Sequence, residues 1–308
     1  MKKFICKILI VSSLTIVVGV LFFILFLQLV SSKIRNIQFE KSITEIYIGD
    51  SHIQCAIVDT MLLNSKNCAN SSECYYYSYY KLKHLINTNP SIKTVYLGYN
   101  YHSLSDYFDE YIYGINSSSV ASKYFFILPN NEKIKMLVGH LDNFPDFLKR
   151  VIKEGVSIFI LNGRSSFVGG YSNQFSNTVA VSSSMEKRIN HQFYNNEYLT
   201  DVSSINLSYL NKIIHLCEKN NIKLILLSTP LHSYYKSKIP SKYISTYSKA
   251  IESNNIQVID LSSLRLTDDC YIPDGDHVSS RGALLITNEF EKIKTERVNA
   301  YNIKVGKE

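Results

Sequence analysis

The chain has 308 residues, long enough for one large domain or two small ones with a substantial core. A composition of 45% hydrophobic and 19% charged residues excludes a fully disordered chain, and six Pro and twelve Gly exclude collagen-like or proline-rich structure. The formal net charge of +7 is local, because Lys2, Lys3, Lys7, Lys33, Arg35 and Lys41 fall within the first 41 residues; the bulk has no basic surplus of the kind nucleic-acid binding requires, and no nucleic-acid partner is expected.

Ile8 to Val30 carries no charge and no proline. Its length matches the roughly 20 residues a helix needs to span a bilayer, which predicts a transmembrane helix over 8–30. Residues 1–7 form a short tail and 31–42 a polar linker. Lysines flank both ends, so the positive-inside rule decides weakly. A seven-residue tail has nothing to translocate for, so the N-terminus is placed in the cytoplasm and the rest outside, as a single-pass inner-membrane protein. The rival is a cleaved signal peptide; the run is longer than the usual signal core and no small-x-small site follows it.

Beyond the linker, short apolar runs alternate with helical patterns. Residues 43–49, 92–97, 222–230 and 256–262 read as strands, the first two closing on Gly49 and Gly98. Residues 52–63, 206–220, 240–253 and 280–296 read as helices. Strands that are nearly all apolar, alternating with helices, predict a mostly parallel sheet covered on both faces, a three-layer α/β/α sandwich. One domain is expected over 43–300. It is interrupted at about 107–200 by a Tyr-, Asn-, Ser- and Phe-rich insertion, partly helical near 132–153.

Cys55, Cys68, Cys74, Cys217 and Cys270 leave an odd number in the domain. An oxidising compartment would permit a Cys68–Cys74 bridge; the alternative is five free or buried thiols. There is no CxxC pair. His84, His140, His191, His215 and His232 lack ligand spacing, so neither a metal nor a cofactor is expected.

Three local signals carry chemistry. Gly49-Asp50-Ser51-His52 follows the first strand and opens a helix, placing a serine where α/β folds bind ligands. Its N–H lies at a helix start, where it can stabilise an oxyanion; a plain Asx or cap turn is the alternative. Gly98-Tyr99-Asn100 ends another strand, and the Asn100 amide can donate to the same oxyanion or simply serve a turn. Asp274-Gly275-Asp276-His277 precedes the last helix, and an Asp three residues before a His can orient the imidazole; a solvated acidic loop is the alternative.

In this order the three blocks resemble the SGNH (GDSL-type) hydrolase superfamily, over roughly residues 43–106 and 206–296. The resemblance implies Ser51 as nucleophile, His277 as general base and Asp274 as orienting acid. It also implies an oxyanion hole from the Ser51 N–H, the Asn100 side chain and a backbone N–H at Ser71 or Ser72. The sequence departs from the family in two places: His52 replaces the usual Leu, and no glycine stands between Gly49 and Gly98, where Asn67 to Ser72 occupies the second block. Asp276 adjoins His277 and competes with Asp274 as its partner.

The implied activity is acyl transfer through an acyl-serine, by an esterase if water accepts the acyl group and by an O-acyltransferase if a sugar hydroxyl does. An anchored domain outside the membrane meets acylated envelope glycans and lipids, and possible partners are envelope polysaccharide-modification proteins. The alternative function is a catalytically silent glycan-binding or assembly protein. The Tyr75–Tyr80 cluster could stack on sugars or pack within a helix, and His102 could line the pocket or be solvated. Arg164, Gly169, Gly170 and Tyr171 could bind anions or form a turn.

Overall fold

A computed structural model describes residues 1–114, 116–160, 166–174, 179–254 and 256–305, with the side chains of Lys2 and of residues 297–305 left aside. Helix α1 (Lys2–Arg35) contains the uncharged run and is long and apolar enough to cross a membrane. Then follow β1 (Glu45–Ile48), α2 (Ser51–Ala56), β2 (Ser65–Asn67), α3 (Tyr75–Thr88) and β3 (Thr94–Gly98). A helical excursion comes next, with α4 (Glu110–Tyr113), α5 (Ser117–Tyr124), α6 (Asn130–Gly139), α7 (Phe144–Ile160) and α8 (Ser182–Phe193). A small hairpin, β4 (Tyr194–Asn195) and β5 (Tyr198–Leu199), leads to α9 (Ser204–Lys219) and β6 (Lys223–Ser228). The chain closes with α10 (Ser233–Ser237), α11 (Ser241–Asn254), β7 (Gln257–Asp260) and α12 (Ser280–Val305).

The main sheet is wholly parallel, in the order β2-β1-β3-β6-β7. Its strands obey the period of two. Ile46, Ile48, Val95, Leu97 and Leu226 pack on one face with α3 and α9. Tyr47, Tyr96, Ile225 and Leu227 point to the other face, against α2 and α12, where Tyr47 stacks on Tyr96 and Phe290 meets both rings edge-on. Two separate apolar faces explain why these strands read as unbroken hydrophobic runs. The chain reverses its direction of travel across the sheet between β1 and β3. In open α/β sheets that crevice, at the carboxyl ends of the strands, is where ligands bind.

Gly49 and Gly98 let the backbones meet there. Gly49 has φ 140°, and a Cβ on it would lie 3.2 Å from the Gly98 Cα. A Cβ on Gly98 would lie 2.6 Å from Ile53 Cγ1. Side chains at either position would push β1 from β3 or lift α2 off the sheet.

Tertiary contacts override the local pattern at several points. The helix expected over 52–63 stops at Ala56. The Asn67 amide donates to the carbonyls of Ile53 and Ile57, and the Val58 N–H donates to Thr287 Oγ1, so partners from β2 and α12 replace the next helical turn. Strand β2 itself was not predicted, being three polar residues on a sheet edge. The excursion is more helical than the weak periodicity suggested. Tyr75, Tyr76 and Tyr77 are buried in the core of α3, so packing accounts for them. All six cysteines are free thiols, Cys68 and Cys74 included. Arg164 lies outside the described residues.

Candidate active site

Ser51 is the first residue of α2, directly beyond β1. Asp50 caps the helix by accepting the His52 N–H, which fixes the turn that presents Ser51. The Ser51 Oγ lies 2.7 Å from His277 Nε2. His277 Nδ1 lies 2.8 Å from Asp274 Oδ2, while Asp274 Oδ1 accepts the N–H groups of Asp276 and His277. Gly275, with φ 62°, makes this tight turn possible, and its missing Cβ leaves room for Met185. An antiparallel bridge between Tyr271 and Val278 closes the loop at its base.

Burial raises the Asp274 carboxyl, but the hydrogen bond and charge of His277 outweigh it and hold the group below its usual range. An ionised Asp274 only accepts, so it fixes the proton on His277 Nδ1 and leaves Nε2 to receive the Ser51 hydroxyl proton. The three side chains face a cavity of about 270 Å³, also lined by Ser71, Ser72, Tyr107, Tyr111 and Arg188.

Behind this triad runs a second chain of acids and histidines. His52 Nε2 lies 2.7 Å from Asp276 Oδ1, and His52 Nδ1 lies 3.1 Å from Asp50 Oδ1. His102 Nε2 lies 2.6 Å from Asp50 Oδ2. The Arg188 Nε–H and the Gln192 amide donate to Asp276 Oδ2. Burial lowers the His52 imidazole, but Asp276 and Asp50 on its two nitrogens outweigh burial and push it up to about 10. Burial likewise raises both carboxyls, yet His52, with His102 for Asp50 and Arg188 for Asp276, holds them well below the usual range. His52 is therefore a buried imidazolium with both N–H groups engaged. Its ring stacks between His102, at 4.0 Å, and His277, at 4.4 Å. Asp276 thus turns toward His52, its nearer oxygen 4.0 Å from His277 Nδ1.

Ser72 lines the cavity with φ 61°, a left-handed conformation that glycine adopts more readily. Its loop is held by the buried Glu73–Lys81 pair, by Lys81 to the Cys68 carbonyl, and by Asn70 to the carbonyls of Ser166 and Phe167. Asn100 is 1% exposed and does not line the cavity. Its Oδ1 accepts the Thr229 N–H, and its Nδ2 has no acceptor among the described residues. His102 neither lines the cavity nor meets solvent, because Asp50 holds it in the interior. His52, His102, Arg188 and Gln192 were not anticipated as a network. The one available signal was the i,i+4 spacing of Arg188 and Gln192, which puts both on one face of a helix.

Two triples of these residues, Asp50–His52–His102 and His52–Asp276–His277, bring potential metal-ligating atoms close together. Both nitrogens of His52 already donate to carboxylates, so neither offers a lone pair to a cation.

No family model matches the chain, and no curated protein matches it. Among solved structures, it is similar to a Bacteroides fragilis protein provisionally described as an acylhydrolase, at 13% identity over 86% of this chain and 93% of that one, with a TM-score of 0.40. It is also similar to a GDSL-like lipase from Bacteroides thetaiotaomicron, at 11% identity over 84% of this chain and 91% of that one, with a TM-score of 0.38.

Proposed function

We propose that this chain is a membrane-anchored serine ester hydrolase or O-acyltransferase of the SGNH type. One observation carries the reading: Ser51, His277 and Asp274 form a continuous hydrogen-bonded series, at 2.7 and 2.8 Å, that opens into a cavity beside the carboxyl end of β1. As the Ser51 oxygen attacks an ester carbonyl, its proton passes to His277 Nε2, and ionised Asp274 stabilises the imidazolium that forms. The alcohol leaves with that proton, an acyl-serine remains, and water or a sugar hydroxyl then takes the acyl group by the reverse path.

The oxyanion is held by the backbone N–H groups of Ser51 and Ser72. The Asn100 Nδ2, buried outside the cavity and without an acceptor among the described residues, becomes the third donor only if the ester carbonyl reaches it at the end of β3. With α1 in the inner membrane and the remainder outside, the substrates are acylated envelope glycans or lipids.

Fluorophosphonate labelling of the membrane fraction tests the reading. Wild-type protein is expected to label, and Ser51→Ala and His277→Ala to lose labelling by at least about a thousandfold. A folded wild-type protein that does not label would instead favour a silent, glycan-binding role.

A further inference from the structure

α7 is apolar on two sides. Phe147, Val151, Gly155 and Ile158 face the protein and are buried. Ile152, Val156, Phe159 and Ile160 form a second stripe at helical spacing, and all four are exposed, Ile160 by 75%. The preceding α6 repeats the pattern: Ile134 and Val138, with Leu141 just beyond its end, lie at i, i+4 and i+7 and are exposed, Leu141 by 65%. Described residues cover the α7 stripe only in part and leave most of the α6 stripe open. Exposed Lys135, Lys149, Arg150 and Lys153 share this segment with exposed Asp142 and Asp146, so charged groups flank the apolar stripes, as on a helix lying in a lipid headgroup region.

The position of this hairpin relative to α1 is fixed by contact. α1 packs on α7 and on the turn Phe125–Ile127. Gly155 stands against the Phe26 ring with no room for a Cβ, and Phe26 meets Phe126 edge-on at 6.2 Å. Val30 and Ile34 of α1 are buried in the core. Phe26 lies within the apolar run, four residues before Val30, so at 1.5 Å per residue Gly155 sits about 6 Å inside the end of that run. Beside it a groove of about 890 Å³ runs from Ile24 to Arg35 of α1, walled by Phe126, Ile134 and Leu137. Its apolar floor is continuous with the surface of α1.

We propose that the α6–α7 hairpin is immersed in the surface of the phospholipid bilayer, on the leaflet that faces the catalytic domain. Acyl chains occupy the groove against α1, which holds the domain at a fixed height and tilt above the membrane. This rests on the reading of α1 as a membrane anchor. A bilayer fits better than a protein partner because the groove, which includes Ile134 of the α6 stripe, joins the apolar surface of α1, and α7 packs on α1 at Phe26, within the apolar run.

The chain contains no tryptophan, so one introduced residue reports cleanly. The full chain would be reconstituted into vesicles of phosphatidylcholine and phosphatidylglycerol, with and without phosphatidylcholine brominated on its acyl chains. Phe159→Trp is expected to emit at short wavelength and to be quenched at least twofold by the brominated lipid; Ile160→Trp serves if that variant misfolds. Phe22→Trp, exposed on α1, is expected to be quenched, and Tyr198→Trp, on the β4–β5 hairpin, is not. Quenching at Phe22 without quenching at Phe159 or Ile160 would overturn the immersed hairpin alone. A short-wavelength but unquenched signal at Phe159 or Ile160 would assign the face to a protein instead, and also overturn the proposal. No quenching at Phe22 would overturn the anchor, and the hairpin with it. Labelling of Ser51 is independent of all three.

Discussion

Two histidines stack 4.4 Å apart in this protein, each bonded to an aspartate, and their settings differ in what a proton can do. His277 has one nitrogen on Asp274 and the other on the Ser51 hydroxyl, at the wall of a cavity. It can accept a proton at Nε2 without breaking its bond to the acid. His52 has carboxylates on both nitrogens and is buried. Both carboxylates favour its protonated form, which leaves neither ring nitrogen free to accept a proton. The same residue types thus make a proton acceptor in one place and a fixed charge in the other. The identity of the second partner decides which, a second carboxylate outweighing the opposing effect of burial.

The largest expected effect comes from breaking the reactive side. Asp274→Asn keeps the shape of the turn but supplies an amide that can stabilise no imidazolium and can favour the wrong tautomer of His277. Ester hydrolysis is expected to fall about 10⁴-fold, the loss seen when a triad acid becomes its amide. The thermal midpoint should change little, because Asp274 is partly solvated. Steady-state hydrolysis of a small aryl acetate, with melting in the same detergent, checks both. A loss under tenfold would remove Asp274 from the triad.

Asp276→Asn should give the inverse result. Asp276 is buried with His52, Arg188 and Gln192 around it, and neutralising it leaves the His52 cation and the Arg188 guanidinium poorly compensated. Removing one member of a buried ion pair costs about 3–5 kcal/mol. The stability of the folded domain should drop by that amount in denaturant titration, while the rate per folded molecule stays within about tenfold. If the rate falls further for Asp276→Asn than for Asp274→Asn, the two acids have been assigned the wrong way round.

This asymmetry also marks what the sequence can express. Ser51 follows its strand closely, and Asp274 lies three residues from His277, so the proposed triad is encoded in two short segments. β1, β3 and β6 were legible because both of their faces are buried, and β7, an edge strand with only Ile259 buried, because its run is β-branched and apolar. β2 was not, because Ser65, Lys66 and Asn67 form a polar edge whose pairing is decided by β1. The backing network joins His52 to a residue 224 positions away and Asp50 to His102 across two strands, so only the folded sheet brings them together. Read locally, His52 was a departure from the usual Leu. Its role is set by Asp50, two residues away in the same turn, together with Asp276, which no local pattern announces.

The finest separation of the two histidines is by pH. The His52 pKa is raised from about 6.5 in an unfolded chain to about 10 in the folded one. A raised pKa stabilises the fold in full below about pH 6.5, and the contribution is lost as pH climbs toward 10. Asp50 and Asp276 behave oppositely: their depressed pKa values stabilise the fold above about pH 4 and cease to do so in acid. The network therefore stabilises the fold in full only between about pH 4 and pH 6.5, and the decline on the alkaline side belongs to His52. Thermal midpoints from pH 6.5 to 9.5 should decline for the wild type more steeply than for His52→Gln, which has no proton to lose there. Other groups, such as cysteines that ionise on unfolding, contribute equally to both curves and cancel in the difference. The gap between the two proteins should therefore narrow as pH rises. Parallel curves would mean that His52 holds no extra proton in the folded state, and the contrast with His277 would then have to rest on geometry alone.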